Sequence, residues 1–522
     1  MTPGVGSGAW PGAGGHSGAG ARPGAGGRSG SVAAVDLGAT SGRVVLGHVG
    51  PGELRLQHVA RFPNRPVTVP ESGGAPGLHW DLLGLWSAIG DGLAQAGRSA
   101  DLVSIGVDSW AVDYGLLRQG SLVGLPYHYR DERTALGVAT VHAAIPADEL
   151  YRRTGLAHLP FNTIFQLAAD QAVGTLDTAD RALLVPDLIG RWLTGVDVTE
   201  RTNASTTGLL SAVSGEWEPS LFAGTRIPRS LFAPLVDPGT SVGALLPAFA
   251  TSAGLGSVPV TAVGSHDTAS AVVGVPLEDE HAAYISSGTW SLVGVELSAP
   301  VVTDAARSAN FTNEGGVDHR IRFLKNISGL WLLSESMRTW DARASASAAP
   351  GSSSTDATRA SDLATLLAAA AEVTRPVAVF DASDERFTPP GDMPSRIRSW
   401  CVEHDVEPPA SQAEVVRSIL ESLAAAYAVT LDEAERVSGR TITTVHVVGG
   451  GSQNELLCRL TAERTGRVVL AGPVEATAIG NVLVQARAAG LLPQSSSLEA
   501  LRALVREAFP PVRYEPAAAA RR

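Results

Sequence analysis

Cysteine is almost missing from this chain, with only Cys401 and Cys458 among 522 residues. Two thiols so far apart build no disulfide framework, and a reducing compartment, the cytoplasm, is the expected location. Net positive charge is missing too: the formal balance is −12, with a sequence pI near 5.5. An acidic chain has no electrostatic attraction for nucleic acid or anionic lipid, so neither is an expected partner. Any phosphate it binds has to be held by local groups such as backbone N–H, a few arginines or a metal. No run of 18 apolar residues occurs, so no segment is expected to span a membrane. The pattern Gly-x-x-x-x-Gly-Lys-Ser/Thr is absent, which excludes a P-loop enzyme. No Gly-x-Gly-x-x-Gly opens a helix, so a dinucleotide fold has no support. The 12 histidines show no zinc-ligand spacing.

What is present reads as a folded, multi-domain protein. Hydrophobic residues at 44% against 18% charged are the balance of a globular chain. The length exceeds one compact core, so two domains are expected. Residues 1–30 hold 12 glycines and no apolar core of a signal peptide. They are expected to be a disordered tail, neither leader nor anchor. An Ala/Ser-rich stretch, 342–360, reads as a surface loop. Acidic residues follow Pro276, and the boundary is placed there, giving domains over 31–276 and 277–515. Apolar, β-branched runs predict strands at Val32–Val35, Ser104–Asp108, Val258–Val263, Ala282–Ser286 and Thr443–Val448. Helical spacing marks Leu82–Ala96, Glu414–Val437, Asn454–Thr465 and Ala476–Ala489. Strands alternating with helices make the fold class α/β.

Four segments carry candidate chemistry. Asp36 to Arg43 is a Gly-bearing hairpin turn whose N–H groups suit an anion. Asp36 there is either a Mg²⁺ ligand or a turn cap. Gly264-Ser265-His266-Asp267-Thr268 puts an acid where a strand stops and a helix of small residues starts. Asp267 either faces a cleft or caps the helix. Ser286 to Ser291 repeats the hydroxyl-rich hairpin turn of the first segment, or is an ordinary turn. Gly449-Gly450-Gly451 between strand and helix lets a flat ring or phosphate approach bare backbone. Asp108 and Asp113 read either as supports for a site or as strand-end and turn residues.

Taken in order, these segments resemble the actin-like ATPase superfamily, a two-domain ribonuclease H-like fold with a cleft between the domains. Gly264 to Val272 looks like the catalytic segment of FGGY carbohydrate kinases. Gly106–Asp113, Tyr129–Asp131, Leu159–Thr163, Thr312–Gly316, Leu324–Trp331 and Gly472–Thr477 resemble the rhamnulokinase branch of that family. The resemblance spans about residues 32–515. It implies ATP and Mg²⁺ as cofactors and a small-molecule sugar as substrate, with the protein a monomer or homodimer. It implies that Ala39, Thr40, Ser41, Gly42 and Arg43 surround the ATP phosphates while Asp36 holds the metal. Thr289 would touch the phosphates, and Gly450, Gly451 and Asn454 the adenosine. Ala111, His266, Asp267, Thr268 and Asn326 would line the sugar site, with Asp267 as base. Ala111 stands where relatives are expected to carry Gly. A kinase for fuculose, xylulose or glycerol, or a non-catalytic sugar sensor, are the alternatives.

Overall fold

The computed structural model describes residues 28–71, 76–347 and 362–516. Short apolar runs separated by Gly-bearing turns build two large sheets. In the first, Gly30–Leu37 turns back as Ser41–Gly50 and continues as Glu53–Pro63, all antiparallel. On its other side Gly30–Leu37 pairs in parallel with Leu102–Ser109, then Pro259–Thr261, with Ser241–Ala244 at the edge. The second sheet repeats this plan. Ala282–Ser287 turns back as Trp290–Leu297, which pairs with Ile321–Ser328, and Thr312–Gly315 closes that edge. Thr444–Val448 and Val468–Ala471 join the other side in parallel, and Val512–Tyr514 ends it. The relation between the halves is therefore topological: equivalent strands recur without a repeat of residues.

A pair of crossing helices fastens the halves together. The helix Asp267–Gly274 belongs to the first half by sequence and Ala476–Ala488 to the second. A methyl group on Gly480 would lie 1.8 Å from the Ser270 carbonyl oxygen, and one on Gly274 2.2 Å from that of Ala476. The backbones approach this closely because glycine leaves the space open. Ala476–Ala488 also lies on the first sheet, where Gln485 Nε2 donates to the Ala33 carbonyl at 3.1 Å. Val32, Ala34, Val263, Val273, Ile479 and Val482 form one apolar cluster drawn from both halves. The expected boundary at Pro276 is thus crossed by packing.

Several expected elements recur with small shifts. Glu414–Val437 becomes a helix from Gln412 to Ser438, capped by Ser411, which accepts from the Glu414 N–H, and ended by Gly439 at φ 73°. The Ala/Ser-rich stretch differs from expectation. Its first residues continue the helix Trp331–Ser347, since alanine is the best helix former, while 348–360 lie outside the described residues. The expected disordered tail lies outside them as far as residue 27, and Gly30 already belongs to a strand. Lys325, the only lysine in the chain, sits in Ile321–Ser328 and pairs with Glu433 of the long helix at 3.0 Å. No helix among the described residues is long and apolar enough to cross a membrane. Cys401 and Cys458 are free and buried.

Candidate active site

Adjacent strands of the first sheet bring three carboxylates to one edge. Asp36 and Asp108 stand opposite each other in the parallel register of Gly30–Leu37 and Leu102–Ser109. Asp267 follows the next strand, Pro259–Thr261, after a short loop. The carboxyl ends of parallel strands are where such folds place ligands. Asp36 is buried, and Arg43 Nε donates to it at 2.9 Å. Arg43 also meets Glu475 at 2.7 Å, so its charge is shared between two acids. Asp108 is fully buried. Its Oδ2 accepts from Asn481 Nδ2 at 2.6 Å, while Oδ1 has no partner. Burial first, then the neighbouring Asp36, hold the Asp108 carboxyl well above its usual range. Burial likewise raises Asp267, with Asp36 adding to the shift and His266 opposing it. The three acids repel one another and Asp108 Oδ1 is orphaned, so a hydrated divalent cation beside Asp36 and Asp108 would relieve the repulsion. Among the described residues no cluster of three or more His, Cys, Asp or Glu is arranged to cage a metal. The donors suit Mg²⁺, which keeps waters and phosphate oxygens in its shell.

The loop before Asp267 is held from behind. Glu200 is buried, and its Oε2 accepts from Ser265 Oγ at 2.7 Å and from Ser265 N at 3.1 Å. The same carboxylate caps the short helix Arg201–Ala204 through Thr202 N and Asn203 N. Ser109 N donates to the Ser265 carbonyl at 2.9 Å, tying the loop to the Asp108 strand. Helix Asp267–Gly274 has His266 at its cap position, and no side-chain oxygen caps it. The Asp267 side chain is 29% exposed. Its Oδ1 accepts from Thr268 Oγ1 at 3.1 Å and lies 3.4 Å from His266 Nε2. The Thr268 N–H at the start of the helix adds to that hydroxyl in favouring the charged carboxylate. Thr268 itself is buried.

Ala111 lies in the turn Trp110 to Asp113, beside Val112 at φ 68°. A β-branched residue in the left-handed region is strained and persists only where neighbours enforce it. Here Thr163 Oγ1 donates to the Val112 carbonyl at 2.7 Å. Asp113 anchors the turn by accepting from Trp80 Nε1 at 2.6 Å, Trp110 Nε1 at 3.1 Å, Tyr129 N at 3.1 Å and Gln166 Nε2 at 2.8 Å. Burial pushes the Asp113 carboxyl up to about 7 against these donors. Across the opening, Arg130 of the first half lies 4.3 Å from the ring centre of Trp331 and donates to the Thr388 carbonyl.

The two hairpin turns and the glycine segment occupy the other half of the site. Ala39 and Thr40 form the first turn, and Ser41, Gly42 and Arg43 open the strand after it. Gly288 and Thr289 form the second, where the Thr289 carbonyl accepts from Gly329 N and Trp331 N. Gly449, at φ 79°, and Gly451 lie on this second turn: a methyl group on Gly451 would fall 2.0 Å from Ser287 Oγ. Gly450 has nothing within 4 Å of that position, leaving open backbone. Asn454 is buried, and its Oδ1 accepts from Leu457 N at 3.0 Å, so the side chain caps the following helix. Asn326 stands half-buried opposite Leu292. Sequence reasoning missed Glu200, Asn481 and Gln166, which have no local signature.

The amino-terminal domain profile of the FGGY carbohydrate kinases matches residues 32–274, and the carboxy-terminal one matches 283–489. The chain belongs to the FGGY family of carbohydrate kinases. FGGY kinases use ATP, generally with Mg²⁺. This FGGY kinase is 40% identical over 479 residues to a rhamnulokinase of Bacteroides thetaiotaomicron, covering 90% of this chain and 93% of the relative. It is 41% identical over 477 residues to a rhamnulokinase of Pectobacterium atrosepticum, covering 90% of each. Among solved structures, a gluconate kinase from Lactobacillus acidophilus superposes with a TM-score of 0.73 at 15% identity, covering 94% of both chains. That likeness shows the two-domain α/β fold shared by FGGY kinases.

Proposed function

We propose that this kinase transfers the γ-phosphoryl group of ATP to the 1-hydroxyl of L-rhamnulose, giving L-rhamnulose 1-phosphate and ADP. The observation that carries the chemistry is Asp267: a partly exposed carboxylate with raised proton affinity, at the sheet edge beside Asp36 and Asp108. The identity to proteins named rhamnulokinase, across nine-tenths of this chain and theirs, supports the sugar. In the reaction a bond forms between the sugar oxygen and the γ-phosphorus while the bond to the β-phosphate oxygen breaks. Asp267 accepts the hydroxyl proton. Its Oδ1 faces Thr268 and His266, which leaves the other oxygen for the acceptor. Such transfer asks a protein mainly for positioning and charge neutralisation. Asp36 and Asp108 would hold the Mg²⁺ that accompanies ATP, and that ion neutralises phosphate charge. Ala39, Thr40, Ser41, Gly42, Arg43 and Thr289 would surround the phosphates. Gly450 and Gly451 would receive the adenosine, with Asn454 shaping their loop as a cap. Ala111, His266, Thr268 and Asn326 would bind the sugar. The protein acts as a monomer or homodimer in the cytoplasm, a compartment that suits its two unpaired, buried cysteines.

The test is ADP release measured across L-rhamnulose, L-fuculose, D-xylulose and glycerol. L-rhamnulose should lead in kcat/KM. Another sugar leading would keep the kinase and change its substrate, and no turnover with any would favour a sensor.

A further inference from the structure

Behind His266 lies an ion pair that belongs to the other half of the molecule. Glu314 and Arg322 stand opposite each other on the antiparallel strands Thr312–Gly315 and Ile321–Ser328 of the second sheet. Arg322 is fully buried, and its Nη1 lies 3.0 Å from Glu314 Oε2. Its Nη2 lies 3.0 Å from His266 Nδ1, and its Nε donates to the Gly315 carbonyl at 2.9 Å. Glu314 Oε2 is also 3.3 Å from His266 Nδ1. The strand that carries Glu314 is docked on the first half: Gly315 N donates to Ser205 Oγ at 2.7 Å, and Asn313 Nδ2 to the Gly155 carbonyl at 3.0 Å.

A guanidinium is a donor only and stays charged inside proteins. Its approach to Nδ1 therefore requires that nitrogen to present its lone pair. A neutral His266 then carries its proton on Nε2, the nitrogen facing Asp267 Oδ1. Glu314 balances the buried guanidinium, which alone would be costly to bury. Burial pushes the Glu314 carboxyl up, but the charge of Arg322 outweighs it and holds Glu314 below its usual range. The other charged or titratable groups around the ring are Glu200, behind Ser265, and Tyr284, behind the ion pair. The Glu296–Arg502 pair lies beyond Tyr284.

We infer that Glu314 and Arg322 are positioning residues for the transfer: they fix the His266 proton on Nε2, so that His266 holds one oxygen of Asp267 and the other faces the acceptor hydroxyl. This rests on the kinase reading above, and it makes the base of one half depend on two charges supplied by the other. Replacing Arg322 frees Nδ1 to take a proton beside Glu314. His266 then becomes a cation next to Asp267 and weakens it as a base. Replacing Glu314 with its amide leaves the buried guanidinium without its counter-charge, so Arg322 shifts away from Nδ1 and the ring loses its fixed setting without gaining charge.

The experiment compares Glu314→Gln, Arg322→Met and the double variant Glu314→Gln/Arg322→Met with the wild type in the full chain. It records kcat and both KM values against pH on L-rhamnulose and ATP, with ADP affinity and circular dichroism as controls for folding. Each single variant should lose about 10- to 100-fold in kcat, the scale of a misplaced catalytic group, with ADP affinity retained. Arg322→Met should also move the acid limb of kcat to lower pH, because a cation beside Asp267 favours its carboxylate, whereas Glu314→Gln should not. If Arg322→Met fails to fold, the double variant, which removes both buried charges together, should show the same loss of kcat with ADP bound normally. Folded variants with kcat within about two-fold of wild type and an unmoved acid limb overturn the inference. A wild type that phosphorylates none of the sugars would instead overturn the reading on which it rests.

Discussion

Asp267 and His446 are titratable groups whose surroundings set opposite demands. The Asp267 side chain is partly exposed, and Asn matches its shape and accepts the same hydrogen bonds, so Asp267→Asn removes proton acceptance with little structural cost. Turnover should fall by at least about 10²-fold, the low end for a lost general base, with ADP affinity and melting temperature nearly unchanged. A variant within a few-fold of wild type would take Asp267 out of the reaction. His446 lies on the strand Thr444–Val448, buried, with neither ring nitrogen partnered. Burial, then Arg502 and Arg506, lower it to about 4. The unfolded chain, with an ordinary histidine near about 6.5, binds the proton first as pH falls. Stability from the neutral ring is therefore full above that value and is lost as pH drops towards 4. His446→Leu should lose less on acidification. Between neutral pH and about 5 the wild-type melting temperature should fall further than the variant's by about 1–2 °C per pH unit. Parallel melting curves would remove His446 as a source of acid sensitivity.

Elements show what a one-dimensional pattern can and cannot carry. The crossing of Asp267–Gly274 with Ala476–Ala488 depends on Gly480, where a methyl group has no room against the Ser270 backbone. Gly480→Ala should destabilise by about 1–3 kcal/mol and lower turnover as well, since the displaced helix begins at Asp267. Gly190→Ala is the internal control: it lies in the helix Val185–Thr194 with nothing within 4 Å, and should be neutral or stabilising. Melting curves of the two variants separate packing from helix propensity, and equal behaviour would show that the crossing tolerates the methyl group. Small residues at 269–275 announced a close-packed helix, yet its partner at Gly480 lies two hundred residues on and left no local mark. The hairpin turns, the strand ends at Asp36 and Asp108 and the long helix were legible because each is written by contiguous residues. Glu200 and Arg322 were not. Their partners, Ser265 and His266, are 65 and 56 residues away, and nothing in the intervening chain signals the contact. The three-stranded sheet of Ser121–Leu122, Tyr114–Arg118 and Arg181–Leu184 escaped notice for the same reason.

Across the whole molecule, two large sheets of one plan are tied by the crossed helices on one side and by the Glu314–His266 contact and the Arg130 bridge elsewhere. Opening it is therefore costly, and the single lysine offers a way to watch that happen. A protease specific for lysine has one place to cut, after Lys325, in a strand paired on one side with Trp290–Leu297 and on the other with Thr312–Gly315. The bond cannot enter a protease while both pairings hold, so the cleavage rate counts excursions in which the second sheet comes apart. ADP, by binding only the closed architecture, should slow the appearance of the two fragments, in proportion to its occupancy. Rapid cutting that ADP does not affect would mean that the strand frays by itself. The chain thus carries a built-in clock for its own unfolding, with one tick per molecule, readable on a gel without any label or substitution.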